Sequence, residues 1–527
     1  MDESGLLLHG TSLVSVTGTR AGVPGFSPWW YSGSWLRGST HVEVFDASNP
    51  EAPAPRWRAE IDGHAMATRR IGSRLYVVTR FAPWLAGYRY GAGDAAGKEA
   101  NRQLLSGTPL ADLLPKVRVN GGAATPAVSA AAVFVPPLGE RAPTAEVTLV
   151  AAIDLDSPRL AQTLAIAGPV DTVYASPTNL YVASSRWPYL FWQFQFPAPS
   201  MYYTDIHQVR LAPDAMTVAG SGTVEGFLSQ QADLAPFRLG EHEGRLRVVT
   251  SSGGMWGSDS RNRLTILEPS TASPGLLKTV SWLPNARRPQ PLGKPGETVY
   301  GTRFLGERLY AVTFRMVDPL YVVDLADSKD PRIAGALEIP GFSEYLHPLP
   351  NGLLLGFGKD AVPAGGTGGD GFGAWYQGLQ LTLFDVSNAA VPRELKRITI
   401  GKRGSESALL TSHHAFSILA RPDGSATIAI PAAVHDYAQT GPIMPWTQYG
   451  WSYSGVLRFE LRGASAATAS LAQLPTMVTH QTGPFWGPSN DPGRDGGRVV
   501  QFANGDIYSG NGSFWRGDAA GNAAGPY

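Results

Sequence analysis

The most singular group of ionisable side chains in this 527-residue sequence is Asp318, ahead of Pro319, with Glu344 and His347 in the run Ser343-Glu344-Tyr345-Leu346-His347-Pro348. Two carboxylates and an imidazole brought to one opening would hold a cation or a polar ligand. Kept apart, the same residues have plainer uses: Asp318 caps a turn, Glu344 pairs with Arg303 or Arg315, and His347 hydrogen-bonds a carbonyl before Pro348. Buried polar groups commonly serve such internal networks, so both readings stand. His413-His414 would set one imidazole on each face of a strand. Zinc needs three or four ligands, and no third His lies at ligand spacing.

Other chemistries find less footing. Residues 257–263 (GSDSRNR) and 491–497 (DPGRDGG) are oxygen-rich loops of the kind that bind calcium. Neither has the regular spacing of an oxygen cage and each carries Arg, so Asx-turns explain them as well. Calcium is the one cofactor they leave open; no other is expected. Gly404-Ser405-Glu406-Ser407 is not a nucleophile elbow, and the Gly-rich residues 364–372 lack the Lys-Ser/Thr of a phosphate loop. The chain has no Cys, which excludes disulfides, thiolate metal sites and Cys nucleophiles. No catalytic motif emerges, and no enzyme activity is expected.

Aromatic density is the remaining signal. Residues 187–203 (WPYLFWQFQFPAPSMYY) hold Trp187, Trp192 and Tyr202, and residues 434–453 end on Trp446, Trp451 and Tyr453. Rings at this density either pack down as lids or offer a stacking surface to a sugar or an apolar partner.

A turn-rich β chain must position all of these residues. Gly (61) and Pro (42) are plentiful and charged residues make up only 16%. Lys+Arg and Asp+Glu number 43 each, so nothing draws the protein to nucleic acid or an anionic membrane face. No apolar run approaches the roughly 18 residues of a membrane span. Residues 298–360 show the pattern best, with apolar runs at 300–305, 309–314, 320–325 and 333–339 closed by Gly, Pro and Asp turns. Four short antiparallel strands in about 40 residues are one blade of a β-propeller.

Two phrases of that blade recur. One is a turn followed by Leu/Tyr-Val-Val-Thr, as in SRLYVVTRF (73–81), TNLYVASSR (178–186), GRLRVVTSS (244–252) and ERLYAVTFR (307–315). The other is a strand ending in an acid before a Ser/Asn/Pro turn, as in HVEVFDASNP (41–50), AAIDLDSP (151–158), YVVDLADSKDP (321–331) and LTLFDVSN (381–388). Counting looser copies, the second phrase occurs about seven times. The expected fold is therefore an all-β single domain over 1–527, a propeller of about seven four-stranded blades, alternatively eight. Both faces of each sheet are apolar, so each must lie between neighbours. The N-terminal strands and residues 498–510 each look incomplete, and their pairing in one blade would close the ring. Insertions fall at about 88–144 (with a short helix at 95–105), 187–203, 361–373 and 434–453.

Residues 302–349 (TRFLGERLYAVTFRMVDPLYVVDLADSKDPRIAGALEIPGFSEYLHPL) closely resemble the bacterial and archaeal secreted "beta-propeller domain" family, distantly WD40-like. Residues 223–252 and 381–418 resemble the flanking blades of that family. The resemblance implies a secreted or surface-attached propeller; the family brings no assigned reaction. Read together, these features lead us to expect a non-catalytic binding scaffold outside the cytoplasm, its partner a protein or a polysaccharide at the cell surface, with no transmembrane segment. The alternative is a propeller enzyme, hydrolase or quinoprotein-like, with its site in the central channel. No signal peptide is visible, and the chain starts almost inside a strand, so more chain is expected upstream of Met1.

Overall fold

Every copy of the first phrase forms the second strand of an antiparallel four-strand meander, and every copy of the second phrase forms the third. The computed structural model describes all residues except 1, 20, 23–35, 90–91, 138–145, 187–201, 230–232, 254–259, 315–317, 365–368, 371–372, 438–440, 482–496 and 511, with the side chains of 2–4, 21–22, 36, 314 and 318 also outside the description. Among the described residues, the strands fall into eight such meanders in chain order. Their second strands are Ser12–Gly18, Arg74–Phe81, Asn179–Arg186, Arg245–Ser252, Arg308–Phe314, Leu353–Pro363, Ala426–Tyr437 and Gly505–Gly510. Each phrase marks seven of the eight. The first is missing from Ala426–Tyr437 (ATIAIPAAVHDY), and the second from Ser513–Gly517 (SFWRG), which carries no acid.

The two phrases do identifiable work. Asp46, Asp154, Asp324 and Asp385 end third strands and accept the backbone N–H two residues on, at 2.9, 3.2, 3.1 and 3.0 Å. Each Asx-turn fixes the reversal into the fourth strand. That strand begins with Arg159, Arg332 or Arg393 in three cases, whose guanidinium returns to the same carboxylate at 3.4, 2.8 and 2.9 Å. These arginines are exposed, so the pairs contribute little beyond register. The hydroxyl of the first phrase clasps the segment leading into its own sheet. Thr79 donates to the Asp62 carbonyl (3.4 Å), Ser184 to the Asp171 carboxylate (2.9 Å), Thr250 to the Glu225 carbonyl (2.6 Å) and Thr313 to the Glu297 carboxylate (2.7 Å). Side chains on both faces of the middle strands are buried, as at Val147–Asp154 and Arg245–Ser252.

The chain divides into two compact units. The first, Met1–Arg186 with Thr204–Val224 and Pro269–Lys278, is cored by Val14, Val42, Trp57, Leu75, Leu149 and Ile153. Its insertion at 88–144 holds the helix Ala95–Ser106, capped by Asp94, and also lends Lys116–Val119 and Thr125–Pro126 to the first sheet. The second unit, Trp187–Tyr203 with Glu225–Glu268 and Thr279–Tyr527, is cored by Leu355, Phe357, Leu381, Leu383, Ile428 and Phe459. No helix among the described residues is long and apolar enough to cross a membrane.

Two expectations need correction. The chain's ends do not share a blade among the described residues. Asp2–His9 pairs with Ser12–Gly18, while Arg498–Phe502 opens a separate sheet. The C-terminal segment supplies its own outer strands, turning back at Gly512 (φ +76°) into Ser513–Gly517 and then Ala523–Ala524. Nor is 434–453 a loop throughout. The strands Ala426–Tyr437 and Gly450–Arg462 run on into it, pairing His435 with Trp451 and Tyr437 with Gly450.

Candidate functional site

Four segments of the second unit bring a guanidinium, two imidazoles and three rings together. They are the 3₁₀ turn Ala235–Arg238, the first strands Thr298–Leu305 and Phe342–Leu349 of consecutive sheets, and the 3₁₀ turn His413–Ala415 with Phe416 after it. Gly301 permits the close approach: a Cβ there would lie 2.6 Å from the Ser343 carbonyl oxygen. Thr302 donates to the Phe237 carbonyl at 3.0 Å, tying the first turn to the strand. Arg238, 4% exposed, donates to the Val299 carbonyl while its Nη1 has no partner.

Arg303 sits at the centre. Its guanidinium lies 4.2 Å from the Phe237 ring centroid and 5.6 Å from that of Tyr345, and it donates to the Tyr345 hydroxyl at 3.5 Å. Tyr345 reaches His347 Nδ1 at 3.1 Å, and Phe416 packs on both rings, with centroids 5.1 and 4.6 Å away. His413 closes the edge against Phe237 at 5.0 Å and meets the Asp233 carbonyl through Nδ1 at 3.2 Å. Burial pushes three titratable members toward their neutral forms. It lowers Arg303, raises the Tyr345 phenol and, aided by the Arg303 charge, drives His347 down to about 4. No carboxylate joins Arg303 among the described residues.

A second cation–aromatic centre is built from Asp370, Trp375–Gln377, Arg403 and Pro445–Trp446. Arg403 forks onto the Asp370 carboxylate, donates to the Tyr376 carbonyl at 2.9 Å and lies 5.1 Å over the Trp375 ring. Trp446 packs 5.7 Å from Trp375, and Gln377 donates to the Pro445 carbonyl at 2.9 Å. Burial pushes the Asp370 carboxyl up, but the Arg403 and Tyr376 N–H bonds outweigh it and hold it below the usual range. Tyr437, Ile443, Met444 and Trp446 stand exposed here, at 57, 66, 42 and 50%.

The residues singled out from sequence are scattered between these centres. His347 lies in the first. Glu344, at the register irregularity between Ser343 and Tyr345 of the same strand, bears on Tyr376, whose phenol is raised by burial and then by Tyr300 and Glu344. The Asp318 side chain, Trp187 and Trp192 lie outside the described residues. Tyr202 is 8% exposed, edge-on to Phe227 at 5.2 Å. Trp451 is 7% exposed and donates to Ser454 Oγ at 3.0 Å; Tyr453 is half-buried. His413-His414 forms a turn, not the expected strand, with ring centroids 3.9 Å apart. The backbone closes locally there, Ala415 N–H onto the Ser412 carbonyl, so the rings stack instead of alternating. Of the oxygen-rich loops, 491–496 and 257–259 lie outside the description, and Asn262 is buried on the Leu292 and Glu297 carbonyls. Among the described residues no three His, Cys, Asp or Glu gather as metal ligands. Sequence reasoning missed Phe237, Arg238 and Phe416; each becomes notable only through neighbours distant along the chain.

The sequence pattern of the family described as "Beta propeller domain" matches residues 1–491. An uncharacterised protein of Methanocaldococcus jannaschii is 33% identical over 215 residues, 41% of this chain and 29% of that protein. One of Archaeoglobus fulgidus is 33% identical over 197 residues, 37% of this chain and 25% of that protein. The chain thus matches less than a third of the length of these relatives. Among solved structures, Saccharomyces cerevisiae Sqt1 superposes with a TM-score of 0.34 at 8% identity, covering 84% of this chain and 92% of that one.

Proposed function

Because the chain belongs to the beta propeller domain family, we propose that its eight meanders are blades of one propeller and that it acts outside the cytoplasm as a non-catalytic binding module. One observation carries the binding role: the exposed quartet Tyr437, Ile443, Met444 and Trp446 on a single hairpin. An uncharged cluster of Trp, Tyr, Met and Ile is the composition of a protein-interaction core, and loops on a rigid scaffold are where recognition resides. Ile443 and Met444 beside Trp446 favour an apolar protein surface over a sugar, which would stack on a ring edged with polar groups. The resemblance of residues 302–349 to secreted propellers is what supports the extracytoplasmic location. Binding is preferred to catalysis because, among the described residues, neither centre sets a general acid beside a general base: Arg403 is held as a cation by Asp370, and Arg303 has no carboxylate.

The test is capture on peptide and polysaccharide arrays by the full chain and by Ile443→Asp/Trp446→Ala. Wild type is expected to retain apolar peptides and the double variant to lose them at unchanged melting temperature. Retention of sugars alone, or equal capture by both proteins, overturns the protein-partner reading.

A further inference from the structure

Arg303 is the residue that the protein's own contacts leave unfinished. An arginine side chain carries five N–H donors. Here one of them is engaged, with the Tyr345 hydroxyl at 3.5 Å, at the outer limit of a hydrogen bond. No carboxylate pairs with it among the described residues, although most arginines of the second unit, such as Arg288, Arg332, Arg393, Arg403 and Arg458, have one. Taking a cation out of water without a counter-charge is costly, and two aromatic faces recover only part of that cost. Arg238, one residue beyond Phe237, is likewise buried with no carboxylate and with Nη1 unpartnered, so the same corner holds two uncompensated positive charges. The cluster is nevertheless reachable. Arg303, Phe237, His347, His413 and Phe416 are all half-buried, so their outer surfaces border solvent.

We infer that Arg303 anchors a binding site for a small oxyanion carried on a ring-shaped body, a carboxylate or sulfate whose ring lies against Phe237 and Phe416. The guanidinium fork matches two oxygens of such a group, and charge-assisted bonds of this kind are the strong ones. His347 and His413 line the same edge; His347 offers its second nitrogen to a polar substituent, since Tyr345 already meets Nδ1. This site is separate from the apolar hairpin, draws on different residues, and its failure would leave the protein-partner reading standing.

Benzoate, glucuronate and sulfate are titrated into the full chain at constant ionic strength against chloride, with melting temperature and calorimetric heat as readouts. At least one is expected to raise the melting temperature saturably, and which one does so identifies the body. Arg303→Gln is expected to bind that anion about tenfold or more weakly, the loss of one charge-assisted contact. Arg403→Lys, at the ion-paired centre, is expected to bind it unchanged. The inference is overturned if no anion exceeds the chloride control or if Arg303→Gln binds as tightly as wild type. Should Arg303→Gln not fold, Arg303→Lys decides, because it keeps the charge and loses the fork. Weakened binding there supports the site, and undiminished binding overturns it.

Discussion

Arg303 and Arg403 are two solutions to the same problem, a cation laid over aromatic rings on a β scaffold. At Arg403 the protein supplies the anion itself: Asp370 forks onto the guanidinium, and hydrogen bonding to it raises the arginine's affinity for its proton. At Arg303 the rings are present, on Phe237 and Tyr345, but the anion is not, and burial depresses the guanidinium instead. The first centre is complete and therefore structural. The second bears a desolvation cost that its own contacts do not recover, which is the condition in which a folded protein gains by binding a ligand.

The largest effect that tests this contrast lies on the hairpin that carries Trp446 to the Arg403 centre. Trp451, paired across the hairpin with His435, is buried, while Trp446 on the same hairpin is half exposed. Trp451→Ala is expected to cost about 3–5 kcal/mol in chemical denaturation, and Trp446→Ala about 0.5 kcal/mol or less. Equal costs would mean that the hairpin packs as one unit and that its exposed quartet is no docking surface. A middle-sized effect separates the two arginines. Arg403→Met removes the counter-charge of the Asp370 carboxylate, leaving it the Tyr376 N–H, and is expected to lose about 2–3 kcal/mol. Arg303→Met removes a charge that nothing neutralises and is expected to stay within about 1 kcal/mol of wild type, on either side. Comparable losses at both positions would show that Arg303 is as structurally satisfied as Arg403.

Much of the scaffold was legible because its signals are local. The acid that ends a third strand captures a backbone N–H two residues away, and the Val-Val-Thr strand lies one hairpin from the segment that its hydroxyl clasps. Sequence proximity carries that kind of physics. The eighth meander was harder to count because Ala426–Tyr437 and Ser513–Gly517 bury their sheets without the recurrent Thr or Asp. The site was legible only in part. His347 stood out by its neighbours in sequence, yet Arg303 and Phe416, which bear on it, arrive from two other segments, the first through the approach at Gly301. Glu344, three residues from His347, sits at the register irregularity between Ser343 and Tyr345 and bears on Tyr376 instead, which no local pattern announces. Trp446 and Trp451 look equivalent in composition; Trp451 is buried on the paired strand opposite His435, while Trp446 stands in the turn beyond the pairing.

The pH response is the most diagnostic, and near neutral pH the least visible, because the two centres respond to pH in different windows. His347 titrates near 6.5 in an unfolded chain but is held at about 4 in the fold, by burial first and the Arg303 charge second. Between these values the unfolded state binds a proton that the folded state does not. Stability is therefore full above about 6.5 and falls as pH drops toward 4. Asp370 is shifted the same way but by hydrogen bonds against burial: its carboxyl lies below its ordinary value, so its contribution survives this window and is lost only as pH falls further. His347→Gln should accordingly flatten the decline in denaturation midpoint between pH 6.5 and 4, while Arg403→Met lowers the whole curve without changing its slope there. Some slope will persist in His347→Gln, because His207 is also held at about 4 by burial. An oxyanion bound at Arg303 would oppose the charge that depresses His347, raise its pKa and flatten the wild-type curve in the same way. If His347→Gln and wild type lose stability in parallel through this window, the imidazole is not held neutral at the Arg303 centre, and the contrast with Arg403 loses its electrostatic basis.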